Sequence, residues 1–575
     1  MSLSIATDHP PLTDLGFCCT SIPGACTRDG ERADDMQVPR LREKRTACKR
    51  IRDRFCFCLS AALSLSALLA VAHPESVRAE NTDQPAWPTS EWLTSTPEEQ
   101  GMDSAALAKL VAYGESHDFD SLLVVRHGRI VTEAYYAPYT GNIQHEIFSS
   151  TKAVIGTLVG IMYQDGVLDR LDHPMLDFFA DRQVANVDDR KKAITVQNLL
   201  DMTSGIDWTQ GFQGEEEITL HEMDRSSNWT QFILDRPMAR APGEIFNYTN
   251  GNPDLVSAII TRLTGKLAED YAREELFEPL GITNWHWERE PEGLSNGGGM
   301  LALLPRDMAK IGYLYLRHGQ WEGKQLLPPG WADVLSHTLL NTHASDDPNL
   351  SYSNFIWVFP DKHAFMASGL NGQLIVVFPD LDVVVVTTAR GYVRFRTLIG
   401  GVAAAIKSEA ALTPNPDGAE LLANTIKDAA VEKPSAVSPT PELASMISGK
   451  TYKFPDNVLG LKSLTLFLTG PNPHLEYAVS SKYPLNASVT YRAPIGLNGL
   501  FRQGSPALDG INPGHISALK GTWLNGQTFE IDSEGLGQGR KTRYRFSFDG
   551  TKLHFLRAPE RDPEVSVDGE QSDPR

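Results

Sequence analysis

The chain has 575 residues, 41% apolar and 22% charged, with a formal net charge of −19 and a pI near 5.3. That is an ordinary globular composition with room for two or more domains. The acidic balance excludes a broad nucleic-acid-binding face, and no basic stripe with interleaved aromatics supplies a local one.

The first segment reads as a leader. A basic run from Arg40 to Arg54 precedes an apolar stretch from Phe55 to Ala72, and Val77-Arg78-Ala79 offers small residues for cleavage. Residues 1–79 are therefore set apart from the fold, with Met36 as an alternative start. The mature protein is expected to be exported, periplasmic or secreted, without a stable membrane span; an uncleaved anchor is the alternative reading of the same stretch. All six cysteines (Cys18, Cys19, Cys26, Cys48, Cys56 and Cys58) fall in this region. The body of the protein thus has no disulfide, thiolate metal site or cysteine nucleophile, and tolerates an oxidising compartment.

From 80 to 411 strand and helix signals mix. Leu122–Arg126 and Ile130–Tyr135 alternate about His127-Gly128 as a hairpin does, and Gln373–Phe378 and Val383–Thr387 flank a turn at Pro379–Asp382. Helices are expected at Lys152–Gln164 before Gly166, Asp254–Leu263 before Gly265, and Thr397–Ala410. Strands at both ends with helices between predict an antiparallel sheet whose edges come from distant sequence. Residues 412–438, rich in Pro, Ala, Asp and Glu, read as a linker with one short helix at Glu420–Glu432. Residues 439–575 turn all-β, with strands at Leu461–Phe467, Gly521–Leu524, Phe529–Ile531, Arg543–Phe548 and Lys552–Leu556. They predict a separate β-sandwich or small barrel.

The chemistry concentrates in three short segments. In Ser149-Ser150-Thr151-Lys152 a helical spacing of three puts Lys152 one turn beyond Ser149, on the same face. The following Ala153–Met162 is apolar nearly all round, so the helix is expected to be buried. Burial disfavours the charged ammonium and makes a base of the lysine, which a serine nucleophile needs. The second segment is Tyr248-Thr249-Asn250, a phenol able to exchange protons with a lysine and an amide able to hold lysine or substrate. The third is Met366–Gln373, where Ser368 and Gly369 let a substrate approach a strand edge whose N–H joins that of Ser149 as an oxyanion hole. Each pattern is weak alone. Ser517-Ala518-Leu519-Lys520 and Tyr352-Ser353-Asn354 repeat the first two in stretches that read as strands, where packing is the expected use.

In this order the three segments resemble the serine β-lactamase and penicillin-binding protein superfamily, within it the branch of class C-like esterases and 6-aminohexanoate-dimer hydrolases. Supporting matches are Ile194–Gly205, Pro242-Gly243, Gly297–Ala302 with Arg306-Asp307, and Gly369–Gln373; the likeness runs from about Ser121 to Ile406. The resemblance implies an α/β (α+β) fold, a β-lactamase-like antiparallel sheet flanked by helices plus a helical subdomain, here followed by the all-β region. It implies Ser149 as the acylated nucleophile, Lys152 and Tyr248 as general base and acid, Asn250, Ser368 and Gly369 as substrate-binding residues, and no cofactor. Where many relatives carry Lys-Thr-Gly or His-x-Gly, this chain has Ala367-Ser368-Gly369. The missing cation speaks against holding a β-lactam carboxylate and for a small ester or amide substrate.

Other readings compete. A Ser-His-Asp hydrolase could use His145 or His363, but no Gly-x-Ser-x-Gly elbow is present. His145-Glu146 and His221-Glu222 lack the second histidine of a zinc-binding His-Glu-x-x-His helix. A non-catalytic binder of cell-wall or peptide ligands on the same fold, and a true β-lactamase or D-peptidase, remain alternatives. Trp208, Trp229, Trp285 and Trp287 could line a pocket, with packing the expected use of each. Oligomeric state and the role of the C-terminal region are not legible.

Overall fold

The computed structural model describes residues 87–210, 217–333, 342, 349–480, 488–504, 516–560 and 563–572. The expected leader, with its export signal and cysteines, lies outside the described residues. Among the described residues no helix is long and apolar enough to cross a membrane.

In chain order the first region contributes β1 (Leu93–Thr94), β2 (Phe119–Arg126) and β3 (Arg129–Tyr135), then β4 (His145–Glu146), β5 (Trp285–Trp287) and β6 (Leu301–Leu303). It closes with β7 (Ser351–Ser353), β8 (Ile356–Phe359), β9 (Ala364–Gly369), β10 (Gln373–Phe378) and β11 (Val383–Ala389). The main sheet has eight strands in the order β1-β3-β2-β11-β10-β9-β8-β7, antiparallel except for the β1–β3 pair. The two edges, β1 and β7, come from distant sequence, and distant sequence also meets at the centre, where β2 pairs with β11 from Arg126↔Val383 to Ser121↔Thr388. Both strands are buried along their whole length, because helices cover both faces. They therefore read as continuous apolar runs, with Val383 to Val386 as the extreme case.

The helices are α1 (Ser104–Glu115), α2 (Thr151–Gln164), α3 (Gly251–Thr264), α4 (Pro305–Leu316), α5 (Phe395–Ala405) and α6 (Pro416–Ala429), with shorter ones at Val196–Leu200, Ile218–Asp224 and Trp229–Asp235 forming the helical subdomain. Helix α4 lies so close on the sheet that a Cβ on Gly312 would stand 2.7 Å from Val384 and 2.8 Å from Ile375. Helix α5 stops at Ala405, short of the expected Ala410, because Ile406 turns extended and bridges Met102. In the stretch read as a linker, Asn415 caps α6, Pro416 opens it, and Leu422 and Ala429 join the core of the first region. The linker thus carries a docked helix, one that begins four residues earlier than its composition indicated.

The C-terminal region is one antiparallel sheet of ten strands rather than two packed sheets. These are β12 (Thr451–Lys453), β13 (Leu461–Phe467), β14 (His474–Ser480), β15 (Ser488–Pro494), β16 (Arg502–Gly504), β17 (Ser517–Trp523), β18 (Thr528–Gly535), β19 (Arg540–Asp549), β20 (Lys552–Pro559) and β21 (Val565–Gln571). They follow the order β15-β14-β13-β12-β21-β20-β19-β18-β17-β16, and a bridge from Gly496 to Lys520 draws the two ends together into a near-barrel. Its own core gathers Tyr452, Leu464, Tyr477, Phe529, Ile531, Phe546 and Phe555. Ser517 and Lys520 of the repeated Ser-x-x-Lys pattern lie on β17, where a spacing of three puts side chains on opposite faces.

One buried charge ties the first region together. Arg126, at 0% exposure, donates to the carbonyls of Gln100 (2.8 Å), Ser408 (2.9 Å) and Leu381 (3.3 Å) and to Glu409 (3.1 Å). Substituting Arg126→Met leaves three carbonyls without their donor, and a loss of about 3 kcal/mol is expected in chemical denaturation. A midpoint equal to that of the parent chain would contradict this account.

Candidate active site

The approach to Ser149 is held on both edges. Strand β4 pairs with β6 through His145↔Leu303 and Glu146↔Ala302, and Ile147 N–H donates to the Leu301 carbonyl at 2.8 Å. The chain then turns sharply through Phe148–Ser150 into α2, and Phe148 takes a φ of 46°, a left-handed conformation that a non-glycine residue adopts at a cost of about 1 kcal/mol. Ser150 Oγ fixes the turn by donating to the Gln373 carbonyl at 2.8 Å. Ser149 is left partly exposed at the head of a buried helix.

Lys152 lies one turn on, fully buried. Its Nζ donates to Ser149 Oγ at 2.9 Å and to the Gly298 carbonyl at 2.6 Å, and stands 5.0 Å over the Tyr248 ring. Burial pushes the ammonium well below the ordinary lysine range, with the negative field of Asp254 working against it. Burial also pushes the Tyr248 phenol up, opposed by its hydrogen bond with Ser149. A lysine driven to lose its proton and a tyrosine driven to keep one thus flank one hydroxyl.

Tyr248 is placed by a platform built from the Ile194–Gly205 stretch. Asn247 N–H donates to Met202 O (2.8 Å), Gly243 N–H to Thr203 O (2.8 Å), and Asn252 Nδ2 to Leu199 O (3.2 Å). The ring stacks on Trp357 at 5.9 Å and meets Tyr352 edge-on at 6.2 Å. The second Tyr-Ser-Asn pattern is therefore packing, and what it packs is the first. Asn250 Oδ1 is buried beside Gly298, without a hydrogen-bond partner among the described residues. In the third segment, Ser368 and Gly369 end β9, whose pairing with β8 stops at Met366, so one side of the strand is free of that ladder at Ala367–Gly369. A Cβ on Gly369 would stand 2.1 Å from the Ile147 carbonyl, which brings the strand end against the nucleophile turn. All the residues singled out in the three segments converge here.

Residues 100–398, just over half of the chain, match the Beta-lactamase family model. The chain belongs to the Beta-lactamase family. A curated relative, the 6-aminohexanoate-dimer hydrolase of Paenarthrobacter ureafaciens, is 24% identical over 289 residues, 46% of this chain and 71% of that protein. Protein flp of Staphylococcus aureus (strain MRSA252) is 27% identical over 172 residues, 28% of this chain and 34% of that protein. Among solved structures, the octameric penicillin-binding protein homologue from Pyrococcus abyssi aligns over 80% of this chain and 99% of its own, with 16% identity and a TM-score of 0.43. A family VIII carboxylesterase aligns over 54% and 98%, with 13% identity and a TM-score of 0.43.

In this Beta-lactamase family hydrolase the histidines are occupied elsewhere. His145 is buried against Asp120 (3.5 Å) and Thr388 (3.4 Å), and burial drives it down to about 3, so it stays neutral. His363 is exposed and pairs with Asp380 at 3.0 Å. Of the four tryptophans that could have lined a pocket, Trp208 and Trp287 are buried in the core, and the Trp287 indole donates to Asn296 O at 2.7 Å.

Sequence reasoning missed the part played by the C-terminal region, which belongs with the first region to one compact unit, Ala79–Arg575. The turn between β18 and β19 reaches the nucleophile segment: Gly537 O accepts from Glu146 N–H at 2.7 Å, and Asn371 Nδ2 donates to Gly539 O at 3.4 Å. Gly537, with φ 76°, passes so close that a Cβ would stand 1.8 Å from Gln144 O. Tyr139 and Ile143 share an apolar cluster with Ala518 and Leu536, and Arg390 bridges Asp120 (2.8 Å) and Glu534 (3.0 Å) across the same seam. No local signal marks this contact, because a Gly-x-Gly turn in a β-rich stretch reads as a hairpin and nothing more. Gly537→Val is expected to lift the turn from Gln144–Glu146, lower the Tm and open 536–540 to limited proteolysis. Unchanged cleavage and melting would show that the contact holds nothing.

Proposed function

We propose that this hydrolase cleaves a small ester or amide through an acyl-enzyme on Ser149. The observation that carries the reading is the 2.9 Å contact between a fully buried Lys152 Nζ and Ser149 Oγ, with the Tyr248 hydroxyl bonded to the same serine. Neutral Lys152 takes the Ser149 proton as Oγ adds to the substrate carbonyl. Tyr248, which holds its proton, delivers it to the departing alcohol or amine and is recharged through Lys152. Water then enters along the same path in reverse and releases the acid. The backbone N–H groups of Ser149 and of the Ser368-Gly369 strand end receive the developing oxyanion, and Asn250 Oδ1, without a partner among the described residues, is placed to accept from Lys152 or from substrate during the cycle. No residue of Ala367–Gly369 carries a positive charge, and Leu370, which follows at once, is half exposed. Both features favour an uncharged, apolar substrate group over a β-lactam carboxylate. The leader, read as an export signal, supports a periplasmic or secreted site for this activity.

A fluorophosphonate probe is expected to label Ser149 in the parent chain and not in Ser149→Ala, which should also lose turnover on short acyl esters while its Tm stays within a degree or two. Absence of labelling alongside a reactive control enzyme would sink the proposal and favour a non-catalytic binder. Lys152→Ala should lower kcat/KM by at least ~1000-fold. Since activity needs the neutral amine, kcat/KM falls as pH drops through the Lys152 pKa. The limb should lie several units under the ordinary lysine value of about 10.4, read from a pH–rate profile.

A further inference from the structure

Behind Lys152 lie two carboxyl groups that the mechanism above leaves idle. Asp254 sits in the first turn of α3 at 1% exposure, and Glu290 in the loop between β5 and β6 at 3%. Asp254 Oδ1 accepts the N–H groups of Gly297 (2.8 Å) and Gly298 (2.9 Å), and the carbonyl of the same Gly298 accepts Lys152 Nζ at 2.6 Å. One glycine is thus gripped from two sides, by the aspartate at its N–H and by the lysine at its C=O. The loop can lie this close to α3 only with glycine at 297, where a Cβ would stand 2.1 Å from Pro253 O.

The remaining oxygens tell the rest. Asp254 Oδ2 and both Glu290 oxygens are buried with no well-aligned N–H or O–H donor among the described residues; the Gly297 N–H, already bonded to Asp254 Oδ1, also faces Glu290, and the two carboxyls face each other. Two buried carboxylates in contact cannot both ionise, and a proton held between them serves the two oxygens that face each other. The charges around them are accounted for. Glu292, also facing Glu290, is engaged by the N–H groups of Trp229 and Thr230; Glu269, in the short helix Ala268–Ala272, is paired with Arg289 at 2.6 Å; Lys152 faces Ser149, Tyr248 and Asp254.

We infer that Asp254 and Glu290 form a singly protonated carboxyl pair that positions Lys152 through Gly298 and sets the pH at which it becomes a base. Neither residue touches the reacting atoms, so both are positioning residues, and the inference rests on the Ser149/Lys152 reading. The pair supplies one negative charge, enough to oppose but not cancel the effect of burial on Lys152. Burial and the Asp254 field push the Glu290 carboxyl strongly up, in keeping with its being the protonated partner.

The test reads the rate of fluorophosphonate labelling of Ser149 against pH, which needs no knowledge of the substrate. D254N keeps an oxygen for the Gly297 and Gly298 N–H groups but loses the charge, so the acid limb should move down by about one pH unit or more. A purely structural part would lower the rate equally at all pH and leave the midpoint in place, which overturns the inference. E290Q removes an acid whose folded pKa is raised. Such a group costs stability progressively as pH rises above its unfolded value, so the Tm of E290Q should gain on that of the parent between pH 5 and 9. A difference in Tm that does not change with pH overturns the shared proton, and this arm decides if D254N does not fold. Failure of the parent chain to label at any pH would instead strike the Ser149 assignment itself.

Discussion

An amine with no access to water, in contact with a serine hydroxyl, is the constraint around which this molecule is arranged. A buried ammonium is expensive unless it is paired or loses its proton, and Lys152 has three neighbours that leave both options open: the Ser149 hydroxyl, the Gly298 carbonyl and the Tyr248 ring. Each neighbour is brought by a different part of the chain. The nucleophile turn needs β4 and β6 to aim it, the carbonyl needs a glycine loop lying on α3, and the ring needs the 194–205 platform beneath it and the Trp357–Tyr352 corner beside it. The apolar helix α2 is what makes the site dry enough for the arrangement to matter.

What could be read in advance follows from the range of the interaction. Ser149 and Lys152 share a helix turn, so their relation is written in three residues. Tyr248 was legible because a tyrosine ahead of a buried helix is unusual enough to notice, although Tyr352 offered the same letters. The hairpins β2–β3 and β10–β11 were legible because each is closed by its own turn. The pairing of β2 with β11, by contrast, joins residues that no local pattern connects, and it sets distant strands side by side in the middle of the sheet. Asp254 has the pattern of an ordinary first-turn acid on a helix, and Glu290 stands among charged residues between Trp287 and Gly293. Their burial is a property of the loop that folds over them, and it has no signature in either residue's neighbours.

The segment between the two regions shows the same limit from another side. Pro, Ala, Asp and Glu in 412–438 have the composition of a tether, yet Leu422, Ile426 and Ala429 recur at the spacing of one helix face and seal against the core of the first region. Composition averages over a stripe that only three residues define. With that helix fixed, the near-barrel is carried to the Tyr139–Ile143 surface, where Leu536 and Ala518 complete a shared apolar cluster.

The Gly537–Glu146 hydrogen bond carries a consequence for order in time. A chain emerging from the ribosome has Ser149, Lys152 and Tyr248 in hand long before residue 537 exists, and β4 then has one bare edge beside the nucleophile turn. That edge is closed only when the turn between β18 and β19 arrives and the last strands zip behind it. A product truncated between β11 and that turn would hold every reactive group and still present an unfinished strand to its neighbours. The C-terminal sheet therefore completes the hydrogen bonding around the nucleophile segment as well as forming an appended module.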